Sequence, residues 1–147
     1  MSEKSEYIFK RKWERGTARV LFHVDSEYRS FLHFEGKGSM EGTRAFVGFA
    51  NEAIAEFGEN YRSQSLVDLT KLHSAPLRAQ FVLGKWLLKN KRYLTQIAVF
   101  GGKPFEMAIA RAVMKIARMK SVGFFNRGPE ARRFLNFSDE VGQSPDA

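Results

Sequence analysis

The chain contains no cysteine. That excludes a disulfide, a thiolate nucleophile and a zinc–thiolate centre. No apolar run approaches the roughly 20 residues a membrane-crossing helix needs. The opening residues Met1 to Glu6 are charged and hold no apolar signal core. These absences predict a cytoplasmic protein. Acidic residues are scarce in one region only. Residues 71–133 hold 14 basic residues against Glu106 and Glu130, whereas residues 1–70 hold 10 basic and 11 acidic. A one-sided field of that kind attracts anionic partners: an acidic protein, lipid headgroups or nucleic acid.

What is present is enough apolar residue for a core, 44% of 147 residues with 14 phenylalanines, and the length suits one domain. Three times a strand-like apolar run is followed by a loop, a proline and a helical pattern. The units are Ser65 to Leu69 then Pro76, Thr95 to Phe100 then Pro104, and Val122 to Phe125 then Pro129. Proline suits a first helical turn because the N–H it lacks would be unpaired there. Before these units, Arg19 to Val24 and Arg29 to Phe34 read as a hairpin turning at Asp25-Ser26-Glu27. A helix from about Gly42 to Phe57 follows, with Phe46, Phe49, Ala50, Ala53 and Phe57 on one face and Gly58 as its stop.

The expected fold is therefore α/β: a single-layer mixed sheet of about five strands with four helices, in the order β-β-α-β-α-β-α-β-α. The domain is expected over 18–137. A charged arm or extra strand, with Tyr7-Ile8-Phe9 as its apolar part, precedes it over 1–17. A disordered polar tail is expected over 138–147.

Two helices carry most of the charge. From Pro76 to about Arg92, Arg78, Lys85, Lys89 and Arg92 fall on one stripe, Leu77, Phe81, Leu87 and Leu88 make an expected core stripe, and Val82 and Trp86 lie beyond it. From Pro104 to Met119, Phe105, Ile109, Ala112, Val113 and Ile116 face inward. Arg111, Lys115 and Arg118 form an outer stripe bordered by Met107 and Met114, and methionine adapts to varied partners. Either this basic surface, edged by Trp86, Met107 and Met114, binds a partner, or the charges are solvated and the apolar residues pack in the core or a homodimer interface.

Catalytic signals are thin. Asp68, Thr70, His73 and Ser74 gather where a strand ends, the edge ligands favour in open α/β sheets, but a serine before a proline reads first as a cap or loop residue. Phe100-Gly101-Gly102-Lys103-Pro104 reads as a tight strand-to-helix turn without P-loop spacing. His23 and His33 sit in strands with no third ligand at metal spacing. No cofactor is expected. Lys10-Arg11-Lys12-Trp13 interleaves basic and aromatic residues but matches no nucleic-acid module.

Several stretches resemble STAS-type domains, the sulphate-transporter and anti-sigma-factor-antagonist family. Phe31-Leu32-His33-Phe34-Glu35-Gly36 is similar to the strand and glycine before that family's first helix. Leu66-Val67-Asp68-Leu69-Thr70-Lys71-Leu72 is similar to its hydrophobic–hydrophobic–Asp–Leu strand and loop. Gln96 to Gly101 with Ala110-Arg111, and Val122 to Phe125 with Ala131 and Phe134-Leu135, resemble its later units. The resemblance covers roughly 18–136 and is nearest the bacterial SpoIIAA-like, or STAS/Sec14-like, branch. It implies a non-enzymatic regulatory module that binds a protein partner, with lipid contact as the alternative. Where antagonists carry an Asp-Ser-Ser-Gly-like segment with a phosphorylatable serine, this chain has His73-Ser74-Ala75-Pro76. Ser74 is then the candidate phosphosite. An acidic protein is the first expected partner, an anionic lipid surface the second and nucleic acid the third.

Overall fold

A computed structural model describes residues 6–142. The chain forms β1 (Tyr7–Arg15), β2 (Ala18–Asp25), β3 (Ser30–Lys37), α1 (Met40–Phe57), β4 (Ser63–Asp68), β5 (Leu72–Ser74), α2 (Ala79–Asn90), a 3-10 turn (Lys91–Tyr93), β6 (Leu94–Phe100), α3 (Pro104–Ala117), β7 (Val122–Phe125) and α4 (Gly128–Leu135). The sheet order is β1-β2-β3-β4-β6-β7, and β5 pairs with β3 beyond the end of β4. β1, β2 and β3 are antiparallel neighbours, and every later pairing is parallel. This is the expected mixed α/β sheet, with seven strands instead of about five.

Both added strands have a local cause. Of the two alternatives for the N-terminal segment, arm or extra strand, the described residues form the strand, with Phe9 buried among Val20, Phe22 and Val24. Its charged side chains also reach α1, where Arg11 Nε lies 2.9 Å from Glu52. The three-residue β5 forms where Gly36 lets the backbones close up: its φ is +74° and its N–H donates to the Lys71 carbonyl at 2.8 Å.

Alternation along the strands splits the core. Leu32, Val67, Ile97 and Val99 point to α1, α2 and α3, while Phe31, Leu66, Ala98 and Phe100 point to α4 and the residues after it. That second layer corrects the expected tail. Val141 is buried, Arg132 Nε donates to its carbonyl at 2.7 Å, and Gly142 packs against the Phe31 ring. The domain therefore extends to Gly142. Residues 1–5 of the expected arm and 143–147 of the expected tail lie outside the described residues.

The proline rule holds at two helices. Pro104 opens α3 and Pro129 is the second residue of α4. Pro76 instead leads a tight turn: Ala79 N–H donates to its carbonyl at 3.0 Å, and α2 begins at Ala79. α2 then lies against α3 at Gly84, where an added Cβ would sit 2.6 Å from Ile116 Cγ2 and 2.7 Å from Ile116 Cβ. Ile116 cannot swing clear, since its Cβ is fixed to the backbone. Gly84→Val is expected to push the helices apart and lower stability by about 1–3 kcal/mol, while Gly48→Ala, in open space on α1, is expected to leave it unchanged or raise it. Urea unfolding of both variants measures the contrast.

Candidate functional site

α2 has no carboxylate, and none occurs in the sequence between Asp68 and Glu106. Its buried arc is Ala79, Gly84 and Leu87, with Leu83 and Trp86 half-buried. This arc is rotated from the expected one. Leu77, Phe81 and Leu88, expected in the core, are 56%, 52% and 41% exposed. Trp86, expected at the rim of the basic surface, turns inward. Its ring meets Phe46 edge-on at 5.7 Å and its Nε1 donates to Asn51 Oδ1 at 2.7 Å. The physical reason is that α2 packs against two helices at once, α1 through Trp86 and α3 through Gly84. At 100° per residue, Leu88, Phe81, Lys85 and Lys89 share about 100° of the outer surface. Arg78, at the N-cap position, joins that arc.

On α3, Met107 and Met114 are 7% and 9% exposed and belong to the core with Ile97 and Val99. They are not surface residues, because α3 buries a broad arc against both the sheet and α2. Phe105, expected to face inward, is 54% exposed. Arg111, Lys115 and Arg118 are exposed as expected. Arg111 lies over the Phe124 ring at 5.0 Å, and Arg118 ends the helix with a left-handed φ of 57°. Arg92 has left the helix and lies over Tyr93, with Nη2 donating to its hydroxyl at 2.8 Å. Lys91, not singled out from the sequence, reaches the carbonyls of Ala117 and Arg118 at 3.3 and 3.4 Å. There it offsets the negative end of α3.

Of the ten residues expected to bind a partner, Arg78, Lys85, Lys89, Arg111, Lys115 and Arg118 thus remain on the outer faces of α2 and α3. Exposed Leu77, Phe81 and Leu88 join them on the α2 side. Among the described residues no carboxylate forms an ion pair with Arg78, Lys85, Lys89, Lys115 or Arg118.

The strand-end cluster is only partly assembled. His73 and Ser74 are exposed successive residues of β5, so their side chains leave opposite faces and form no Ser–His pair. Ser74 does not cap α2; its carbonyl accepts from Gly38 N–H at 2.8 Å. Asp68 has a partner that sequence spacing hid. Parallel register sets His33 beside it, and His33 Nδ1 lies 3.2 Å from Asp68 Oδ2. Burial raises the Asp68 carboxyl, but the hydrogen bonds from His33 and Thr70 outweigh it and hold it below the usual carboxylate value. Next to His33, the His23 ring is stacked at 5.5 Å and 1% exposed. Lys10-Arg11-Lys12-Trp13 lies on β1, where Arg11 and Lys12 pair with Glu52 and Glu14 and Trp13 packs on Gly42. Gly101, with φ +84°, closes the turn into α3 over Thr70, as the sequence predicts.

Among solved structures, the chain is similar to an uncharacterized protein of the DUF3478 family with a SpoIIAA-like fold from Shewanella loihica PV-4. The TM-score is 0.63 at 17% identity, over 84% of this chain and 98% of that one. No protein-family model and no curated protein matches the chain. At that identity the likeness is one of fold, and it agrees with the resemblance read from Phe31 to Gly36 and Leu66 to Leu72.

Proposed function

From a SpoIIAA-like fold whose α2 surface is apolar and basic together, we propose a non-enzymatic docking module that binds an anionic lipid surface through the outer faces of α2 and α3. The carrying observation is the exposure of Leu77, Phe81 and Leu88 beside Arg78, Lys85 and Lys89 in a stretch without a carboxylate. Apolar side chains that enter the headgroup boundary, flanked by cations, are the chemistry of interfacial helices. Lysine supports this choice over an acidic protein, because protein interfaces favour aromatic residues and arginine and are poor in lysine. Each cation near an anionic leaflet adds about 1 kcal/mol. No helix among the described residues is long and apolar enough to cross a membrane.

The α3 side supports the acidic protein as a second reading. Arg111 is held over the Phe124 ring, which presents a guanidinium group already ordered for a carboxylate, and exposed Arg118 stands at the end of the same helix. Co-sedimentation with vesicles tests the first reading. The protein is expected to pellet with phosphatidylserine-rich vesicles, not with phosphatidylcholine alone, and less as salt screens the charges over ~8–10 Å. Lys85→Glu with Lys89→Glu is expected to weaken this at least tenfold, and Phe81→Ser likewise, with little change in melting temperature. Arg111→Glu with Arg118→Glu is expected to matter less to vesicles. Wild-type indifference to anionic vesicles rejects the lipid reading, and a loss confined to the arginine pair moves the surface to α3.

A further inference from the structure

The most exposed large apolar side chains among the described residues are Leu77, Phe105 and Phe81, at 56%, 54% and 52%. All three lie at one end of the molecule. α2 links β4 to β6 and α3 links β6 to β7, and both strand pairings are parallel. The two helices therefore run in the same direction, and their first turns share the end of the sheet where β4 and β6 finish. Leu77 precedes α2 by two residues, Phe81 is its third residue and Phe105 is the second of α3. Lys103 Nζ reaches the His73 carbonyl at 3.4 Å, which ties the start of α3 to the strand that leads into Leu77. Apolar residues scattered singly over a surface are ordinary, whereas a cluster marks a contact. Exposed Arg78 and Lys103 flank this one, and among the described residues no carboxylate forms an ion pair with either.

Resting on the vesicle-docking reading, we propose that Leu77, Phe81 and Phe105 are an insertion tip that enters an anionic leaflet and selects loosely packed headgroups. Interfacial apolar side chains reach about 5–10 Å into the headgroup–acyl boundary, and such binding is sensitive to lipid composition and curvature. Three bulky side chains entering at one point need gaps between headgroups. Arg78 and Lys103 then form a collar at phosphate level. Lys85 and Lys89 stand about 6 and 12 Å beyond Phe81 along α2, at about 1.5 Å per residue. A tilted α2 keeps both near the ~8–10 Å over which charge acts, without their entering the surface. The molecule docks obliquely, the first turns of α2 and α3 deepest, and Leu88 stays shallower than Phe105. A second copy of the chain is disfavoured as the occupant, because tip against tip it would set Arg78 and Lys103 against the same cations.

The chain has no cysteine, so Phe105→Cys and Leu88→Cys can each carry one environment-sensitive dye. On phosphatidylserine-rich vesicles the dye at 105 is expected to brighten at least twofold more than the dye at 88. Phe105→Ser and Leu77→Ser, both at exposed positions, are each expected to weaken vesicle binding fivefold or more with the melting temperature unchanged. Two positions guard against one variant failing to fold. At constant phosphatidylserine, replacing part of the phosphatidylcholine by small-headed phosphatidylethanolamine is expected to strengthen wild-type binding at least threefold. If wild-type protein ignores anionic vesicles, the docking reading and the tip fall together. If it binds them but the dye at 88 brightens as much as the dye at 105, the outer face lies flat and the tip alone is overturned. Binding that is unchanged in both serine variants, or that is equal on loosely and tightly packed vesicles, overturns the tip as well.

Discussion

Gly36→Val is expected to lower the melting temperature by about 10–15 °C. The residue has φ +74°, and a Cβ there would lie 2.0 Å from the Thr17 carbonyl oxygen. Two terms add. A left-handed backbone costs a residue with a side chain roughly 1–2 kcal/mol, and forcing atoms into filled space costs a further ~1–3 kcal/mol. The obstacle is backbone, so no rotamer change relieves it. A small domain holds about 5–15 kcal/mol in total, and ~1 kcal/mol corresponds to about 2–4 °C at this size. The site is structurally central, since it joins the β1–β2 turn to the β3–β5 pairing. Gly16→Ala serves as the control: its φ is also positive, at +61°, but nothing lies within 4 Å, so it carries only the backbone cost. Calorimetry that finds the two variants equally stable would show that the Thr17 contact is not the constraint.

Acid is expected to destabilise the fold through His23 well before the carboxylates titrate. Burial lowers the His23 pKa from 6.5 to about 3, and the electrostatic influence of neighbouring His33 and Lys10 acts in the same direction. Tyr7, Phe31 and His33 surround the ring at 4.3, 5.4 and 5.5 Å, and its Nε2 has no hydrogen-bond partner. Below pH 6.5 the unfolded chain takes up a proton on His23 that the folded chain refuses until about pH 3. Stability therefore falls as pH falls across that interval, at ~1.4 kcal/mol per pH unit. From pH 7 to 4.5 the loss is about 2–3 kcal/mol. Asp68 contributes at lower pH. Its folded pKa lies below the ordinary 3.8, so its contribution is present above that value and disappears beneath it. His23→Phe keeps an aromatic ring among aromatic neighbours and removes the titration. Urea unfolding at pH 7 and 4.5 is expected to show the acid loss in the wild type and little of it in the variant. An equal loss in both would place the acid-sensitive group elsewhere.

How far the sequence carried differed between strands and helices. β7 falls on the residues its apolar run marks, Val122 to Phe125, and β4 and β6 lie within two residues of their patterns. Strand period is short and its two faces are both buried here, so an apolar run is enough. Which neighbour a strand residue meets is another matter. The pairing of His33 with Asp68 depends on parallel register, which no local spacing encodes. α2 was misoriented because two kinds of residue misled: Gly84 is buried at the α3 contact yet carries no hydrophobic signal, and Phe81 and Leu88 carry a strong one yet face water. A helix with large apolar residues on its outer arc as well as its inner one has no readable inside. On α3 the stripe of Arg111, Lys115 and Arg118 was legible, while Met107 and Met114 were not separable from it by angle alone. The C-terminal turn was hidden by its polar composition, since Val141 and Gly142 are the two residues that dock it.

The sheet ends on one side at β1, which exposes one row of backbone N–H and C=O groups to solvent. Strands with open edges invite copies of themselves to add on, and natural sheets deter this with charge. Here Lys10, Arg11 and Lys12 stand at successive positions of the edge, Arg11 and Lys12 beside their carboxylate partners Glu52 and Glu14, so a second copy sliding alongside would have to strip water from this row of charged side chains. The far edge, β7, is four residues long and gives little to extend. The molecule is thus protected against growing into a continuous ribbon at both borders of its sheet. A concentrated population gathered on one surface would be crowded without being templated to aggregate.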